Sequence, residues 1–324
     1  MNGLDLIHSP VIVELETFKK LYDDSLLSEN PLLNDVVTYL KQRRGKMMRP
    51  VLTLLMAKLY GDIQPETFYT AISLELLHTA SLLHDDVVDE SFERRGQPSV
   101  NAIFDNKVAV LAGDYLLATC LIQARKTNNN DIINIISNLA RNLADGELLQ
   151  LVNLNNQFFS EDIYFSVIDK KTATLFSACT ESAAFSMKTS MDNVKLAHLF
   201  GKYIGICFQI KDDIFDYFGN KTIGKPTGND MLEGKLTLPA IYALNTTNDE
   251  WARKIALKVK SRKASLEEIN ELTQFAKQHD GIEYAYKKMN DYKEKAISML
   301  SHFLDTDVKT ALTAYVDYVV ERKI

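Results

Sequence analysis

Two stretches of this chain carry the same acidic signature, Asp-Asp-x-x-Asp: Asp85-Asp86-Val87-Val88-Asp89 and Asp212-Asp213-Ile214-Phe215-Asp216. Each closes an apolar run with helical spacing. Residues four apart share a helix face, so Asp85 lies with Asp89 and Asp212 with Asp216. Two carboxylates stacked on one face repel each other unless a cation sits between them. Two such faces turned toward each other would make a dense cage of oxygen ligands for a hard divalent cation. Mg²⁺ in particular is held by a few carboxylates plus substrate phosphates.

The rest of the chain has helical periodicity almost throughout. Amphipathic or apolar runs span about 10–28, 31–43, 49–59, 65–88, 100–126, 131–152, 161–187, 193–218 and 236–244, and three more span about 264–279, 281–303 and 306–322. Gly61 ends the third run, Ser160 is positioned as an N-cap, and Pro239 falls in a first helical turn, where proline is tolerated. Ser265-Leu266-Glu267-Glu268 has the spacing of a capping box. With only 13 Gly and 7 Pro in 324 residues, turn chemistry for a many-stranded fold is scarce. Low-complexity tracts, short-period repeats and Pro/Gly/Ser-rich linkers are absent from the sequence. The reading is one all-α domain over 1–324, a single large bundle of long helices.

Composition narrows the function classes. A net charge of −6 argues against nucleic acid as the main partner. Cys120, Cys179 and Cys207 are an odd, widely spaced set, which suggests neither a disulfide framework nor a thiolate zinc site and fits a reducing cytoplasm. The N-terminus lacks a basic-then-apolar leader pattern, and no run approaches the roughly 18 apolar residues that a bilayer span needs.

Cationic residues surround the acidic motifs in sequence. Arg94 and Arg95 follow the first; Lys46 and Arg49 stand in Gly45-Lys46-Met47-Met48-Arg49-Pro50. Lys170, Lys171 and Thr172 interrupt an apolar helix, and Lys225 and Lys235 bracket the loop after the second motif. Carboxylates with dispersed Lys and Arg point to metal-bridged phosphates held by cationic clamps. There is no Gly-x-x-x-x-Gly-Lys-Ser/Thr loop, so the phosphate is not that of a P-loop nucleotide.

Together these segments closely resemble the trans-polyprenyl diphosphate synthase family. The resemblance runs through Gly45-Lys46-x-x-Arg49-Pro50, His78, Leu82 to Asp89, Arg94-Arg95-Gly96, Gly113-Asp114, Gly146-Glu147-x-x-Gln150 and Lys171-Thr172. It continues with Phe208-Gln209-x-x-Asp212-Asp213-x-x-Asp216, Gly224-Lys225-Pro226-x-Gly228-x-Asp230 and Glu233-Gly234-Lys235-x-Thr237-Leu238-Pro239. The motifs come in family order across residues about 45–240, and the last 80 or so residues carry no signature of their own.

The resemblance implies an isoprenoid-synthase-type bundle with a central active-site cavity, and a homodimer. It also implies the chemistry. The diphosphate of an allylic substrate leaves with the help of Mg²⁺, and isopentenyl diphosphate attacks the allylic cation. Loss of a proton, which the departing diphosphate can accept, leaves a trans chain five carbons longer. Metals and cationic side chains stabilise the leaving group where charge develops, and a dry pocket protects the cation. By the same resemblance, Asp85, Asp89 and Asp212 are the principal metal ligands, with Asp86, Asp213 and Asp216 ligating or supporting them. Arg94, Lys171, Thr172, Gln209, Lys225 and Lys235 hold the allylic diphosphate. Lys46, Arg49, His78 and Arg95 hold isopentenyl diphosphate. Asp85, Asp89, Asp212 and Lys171 carry catalysis.

Plainer readings compete. One acid-rich helix end is usually solvated surface, but a doubled one is harder to explain so. Glu75-x-x-His78 is half of a di-iron bundle motif, and no other His has Glu three residues before it. His84 reads as a hydrogen-bonded structural histidine rather than a ligand. The basic stretch Ala252 to Lys263 reads as a solvated face, with transient membrane contact at product release as the lesser alternative. A terpene cyclase would carry a different second metal motif, and a non-catalytic subunit of a heteromeric synthase would have lost carboxylates or clamps. Ala80 and Ser81, about one turn below the first motif, are small and would leave a pocket for the growing tail open. The expected product is therefore medium to long, octaprenyl first, within about C30–C50 given the length of helix available as a wall. Short-chain farnesyl or geranylgeranyl synthesis is the alternative.

Overall fold

The computed structural model describes residues 3–42, 45–94, 96–218 and 228–322. Its helices in chain order are α1 Gly3–His8, α2 Ile12–Ser25, α3 Pro31–Lys41, α4 Met48–Lys58, α5 Pro65–Val88, α6 Val100–Phe104, α7 Asn106–Lys126, α8 Asn130–Leu154, α9 Glu161–Ile168 and α10 Thr174–Ser186. They continue with α11 Met191–Asp216, α12 Asn229–Leu232, α13 Leu238–Thr247, α14 Glu250–Lys260, α15 Leu266–Gln278, α16 Gly281–Met299 and α17 Asp307–Glu321. The all-α class read from the sequence holds; the one sheet among the described residues is a two-residue ribbon, Glu93–Arg94 against Gln97–Pro98.

Helix ends follow local chemistry. Pro31, Pro65 and Pro239 open α3, α5 and α13, where a missing N–H costs nothing. Ser160 caps α9 by accepting the Ile163 N–H at 3.2 Å, and the Ser265–Glu268 capping box is present at both of its bonds. Two predicted helices are interrupted. The 100–126 run breaks at Asp105, whose backbone takes φ +85° while its carboxylate caps α7 at the Val108 N–H. The 161–187 run contains a π-helical turn, Asp169–Ala173.

The chain packs into two compact units. One comprises Met1–Ala140, Leu175–Gly201 and Met299–Tyr315; the other comprises Arg141–Thr174, Lys202–Ser298 and Val316–Ile324. In the first, α5 lies along α7, and Leu76, Ala80 and Leu83 are buried, as are Ala109, Ala112, Leu116 and Cys120. Gly113 makes the approach possible, because a Cβ there would lie 2.3 Å from His84 Nε2. Residues 50–57 of α4 are all buried, as expected of a helix apolar on every side. In the second unit the core is built by the segment without sequence motifs: Leu244, Ile255, Val259, Leu272 and Phe275 of α13–α15 pack with Tyr217 and Met231.

One expectation needs correcting. Among the described residues α7 is long and apolar enough to cross a bilayer by length and composition. It packs along α5 on one side; the other side exposes Val110, Leu111, Leu121 and Ile122.

Candidate active site

Both acidic motifs fall in the last turn of a long helix, α5 and α11. Negative charge at a helix C-terminus opposes the macrodipole, so neither position helps the fold. The scaffold answers this repulsion differently at each carboxylate.

In the first unit Asp86 is 3% exposed. Its Oδ1 receives Arg94 Nε at 2.8 Å and Nη2 at 2.7 Å, and its carbonyl accepts from Asn101 Nδ2 at 3.3 Å. Asp86 thus organises the turn after α5, where Gly96 takes φ +74° in the short ribbon. Asp85 is half-buried and Asp89, the C-cap, is exposed. His78 is half-buried two turns before Asp85 on the same face. His84 packs on Gly113, with Nε2 3.2 Å from the Val110 carbonyl oxygen and 3.5 Å from Asp114 Oδ1, in keeping with its structural reading.

Lys46 precedes α4 and is exposed, and Arg49 lies in the first turn of α4. A cation in a first turn also works against the dipole, and adds to the anion attraction of the helix N-terminus. The Arg49 guanidinium lies 5.6 Å from the Phe176 ring centroid. Its Nε is buried without a hydrogen-bond partner, a donor that the protein itself leaves unused.

In the second unit the π-turn presents Lys171 and Thr172 together. Such turns insert an extra residue and recur at functional sites. Lys171 Nζ lies 2.5 Å from Glu147 Oε1 and donates to Gln150 Oε1 at 3.2 Å. Gly146 gives the lysine room, since a Cβ there would meet Lys171 Cγ at 2.7 Å. Thr172 Oγ1 donates to Gln209 Oε1 at 2.7 Å, Gln209 Nε2 donates to Asp213 Oδ1 at 2.8 Å, and Tyr164 donates its hydroxyl to Asp213 Oδ2 at 2.6 Å. Both Asp213 oxygens are therefore used. Burial raises its carboxyl to about 7, with the Tyr164 and Gln209 hydrogen bonds opposing.

Asp216 is also committed. Its Oδ1 accepts the Asn229 N–H at 2.9 Å and its Oδ2 the Asp230 N–H at 3.1 Å, so it anchors the start of α12. Asp212 is paired by charge instead: its side chain is 43% exposed and Oδ1 receives Arg322 Nη2 at 2.7 Å. Lys235 pairs with Glu233, and Tyr217 ties the same stretch down through Thr237 Oγ1 at 3.1 Å and the Ala240 N–H at 3.2 Å.

A cavity of about 150 Å³ opens in this unit. Lys171, Thr172, Gln209, Asp213, Asp230 and Lys235 form its polar side; Leu154, Phe159, Val167 and Ile168 form its apolar side. Lys260 also lines it, which corrects the solvated-face reading at that position. Lys260 is 5% exposed, donates to Asn156 Oδ1 at 2.6 Å and the Phe158 carbonyl at 2.9 Å, and burial lowers its ammonium to about 8.

Of the site residues read from the sequence, Lys46, Arg49, His78, Asp85, Asp89 and Arg94 lie in the first unit. Lys171, Thr172, Gln209, Asp212 and Lys235 lie in the second. Arg95 and Lys225 fall outside the described residues. Sequence reasoning missed Tyr164, Lys260 and Arg322. Glu147 and Gln150 had a usable signal, since they sit three apart on one helix face, but no role was attached to them.

A family model described as polyprenyl synthetase matches residues 30–276. The chain belongs to the polyprenyl synthetase family. It is a prenyltransferase, and relatives in this family make chains of different length. It is 34% identical to the octaprenyl diphosphate synthase of Haemophilus influenzae over 92% of this chain and 90% of that protein. Among solved structures, geranylgeranyl pyrophosphate synthase from Bacteroides thetaiotaomicron is 54% identical at TM-score 0.88, covering 99% of this chain and 100% of that one. A polyprenyl synthase from Caulobacter crescentus, complexed with calcium and isoprenyl diphosphate, is 29% identical at TM-score 0.92, covering 99% and 98%. These neighbours share the all-α isoprenoid synthase fold.

Proposed function

We propose that this synthase elongates an allylic diphosphate with successive isopentenyl diphosphates to a medium-to-long all-trans polyprenyl diphosphate, octaprenyl first, with Mg²⁺ as its cofactor and 1–324 acting as one catalytic domain. The observation that carries this reading is the division of labour within the acidic motifs. Asp86 and Asp213 are buried and hydrogen-bonded within the scaffold, and both Asp216 oxygens accept backbone amides; Asp85 is half-buried, Asp89 is exposed, and Asp212 keeps 43% exposure beside Arg322.

The donor set suits a hard cation: three carboxylates at helix ends that gain nothing from the dipole, one of them already holding a positive group. Among the described residues no three His, Cys, Asp or Glu side chains are gathered so as to hold a metal ion by themselves. Mg²⁺ is commonly held by one or two carboxylates together with substrate phosphates. Asp85 and Asp89 in one unit and Asp212 in the other would be metal ligands, and the metal's chemistry is to neutralise the departing diphosphate. Lys171, Thr172, Gln209, Arg94, Lys225 and Lys235 hold the allylic diphosphate. Lys46, Arg49, His78 and Arg95 hold isopentenyl diphosphate, with the unused Arg49 Nε as one donor. The complexed Caulobacter structure supports both ligand classes.

The face of α5 that carries Asp85 holds His78, Ser81 and Leu82, all half-buried, with no aromatic to stop a growing tail. The likeness to the Bacteroides enzyme favours a second reading, geranylgeranyl synthesis. A homodimer through α7 is supported by its exposed stripe Val110, Leu111, Leu121 and Ile122. Incubation with farnesyl diphosphate, labelled isopentenyl diphosphate and Mg²⁺, with products resolved by length, tests the reading. A ladder ending near octaprenyl supports it, a stop at geranylgeranyl selects the second, and no elongation removes both.

A further inference from the structure

Arg322 is the first residue after α17, and it reaches back to α11. Its Nη2 donates to Asp212 Oδ1 at 2.7 Å and to the Phe208 carbonyl at 2.9 Å. The guanidinium carbon lies 3.9 Å from the Phe208 ring centroid and 5.6 Å from that of Phe215. Phe208 and Asp212 are one turn apart on α11, so a single guanidinium covers both and is left 17% exposed. The end of α17 is tethered separately, by Lys293 to Asp317 at 2.6 Å and to Glu321 at 3.8 Å. Lys211, next to Asp212, sends its ammonium over the Phe215 and Tyr286 rings instead, at 5.1 and 5.2 Å.

We infer that Arg322 is the counter-charge of Asp212 in the metal-free enzyme, and that a cation loading on Asp212 displaces it. This rests on the reading of Asp212 as a metal ligand. Asp213 and Asp216 of the same motif accept hydrogen bonds from a tyrosine, a glutamine and backbone amides. Asp212 has an arginine hydrogen-bonded to it, so its solution to the like-charge problem is one that a metal can replace. A divalent cation and a guanidinium on one carboxylate repel strongly at such separations. A pair with one partner this exposed is held weakly enough to exchange. Arg322 therefore sets the metal affinity from a position outside the motif, and metal loading releases its guanidinium from α11.

The test reads bound metal, not turnover. Free Mn²⁺ is measured by electron paramagnetic resonance during titration into the full chain, for the wild type, Arg322→Gln and Asp212→Asn. Arg322→Gln should bind Mn²⁺ about fivefold tighter, the fold-change that matches a weak competing ion pair. General damage to the protein weakens binding and cannot mimic that sign. If Asp212→Asn weakens binding but Arg322→Gln leaves it unchanged or weaker, displacement is overturned while Asp212 remains a ligand. If the wild type binds no Mn²⁺ in the absence of a diphosphate, displacement by the cation alone is overturned; if Asp212→Asn binds as well as the wild type, both the inference and the ligand reading fall.

Discussion

Asp86 receives two nitrogens of Arg94 on its single oxygen Oδ1, at 2.8 and 2.7 Å, and is 3% exposed while doing so. The middle carboxylate of the first motif is thus a buried ion-pair partner, three residues from a neighbour, Asp89, that faces solvent. Asparagine at these positions should separate the roles. Asp89→Asn and Asp212→Asn should lower turnover by roughly a hundredfold or more with little change in melting temperature. Asp86→Asn removes the buried acceptor of Arg94, whose own side chain is 38% exposed, and should cost about 1–2 kcal/mol of stability. Thermal melts and initial rates on the three variants check this; a large melting loss in Asp89→Asn would contradict it.

Gly146 predicts a defect localised to the lysine it faces. In Gly146→Ala the new methyl would meet Lys171 Cγ at 2.7 Å, Lys170 Cβ at 3.0 Å and the Lys171 backbone nitrogen at 3.2 Å. The π-turn must shift, and Lys171 leaves Gln150. We expect KM for the allylic diphosphate to rise about tenfold, the value of one misplaced charge-assisted contact, while circular dichroism keeps its helical signal. An unchanged KM would show that the turn absorbs the methyl.

The α5 wall distinguishes Ser81 from Ala80. Ala80 is fully buried and Ser81 is half-buried, with its hydroxyl on the His78 carbonyl at 2.9 Å. Ser81→Phe places an aromatic ring on the face that carries Asp85 and should shorten the product to about C15–C20, roughly one helical turn below the metals. Ala80→Phe overpacks the α5–α7 contact and should destabilise by about 1–3 kcal/mol. Product chromatography and melts on both variants decide; shortening by Ala80→Phe alone would reverse the assignment.

Asp213 predicts a pH dependence of stability in the metal-free enzyme. Burial raises its folded-state carboxyl to about 7, above its ordinary value of 3.8. A raised group stabilises fully below the unfolded value, and that stability is lost as pH rises through the folded value. The melting temperature should therefore fall between pH 4 and about 7 through this group, and the fall should be shallower in Asp213→Asn. Equal slopes in the two proteins would assign the dependence elsewhere.

Much of this architecture was legible in the residues. The helical periods, the Ser160 and Ser265 caps and the Pro239 start depend on neighbours within one turn, and they appear where the sequence places them. The break at Asp105 was not legible, because a positive φ at a capping aspartate leaves no trace in hydrophobic spacing. Nor was the π-turn: Lys170-Lys171-Thr172 reads as a polar interruption, while the extra residue that turns Lys171 and Thr172 toward Glu147 and Gln209 is a property of the backbone.

The sequence by itself determined the family, the helical class and the two acidic faces, since i and i+4 carboxylates share a side of any helix. Chemistry and spacing alone do not rank the six carboxylates, because all have the same chemistry and the same spacing; only the family resemblance sets Asp85, Asp89 and Asp212 apart. Tertiary structure supplies partners distant in the chain: Tyr164 for Asp213, the Asn229 and Asp230 amides for Asp216, and Arg322 for Asp212. The physical reason is that a buried carboxylate must be hydrogen-bonded or neutralised. Which donors reach it depends on how the helices pack, and no local pattern encodes that.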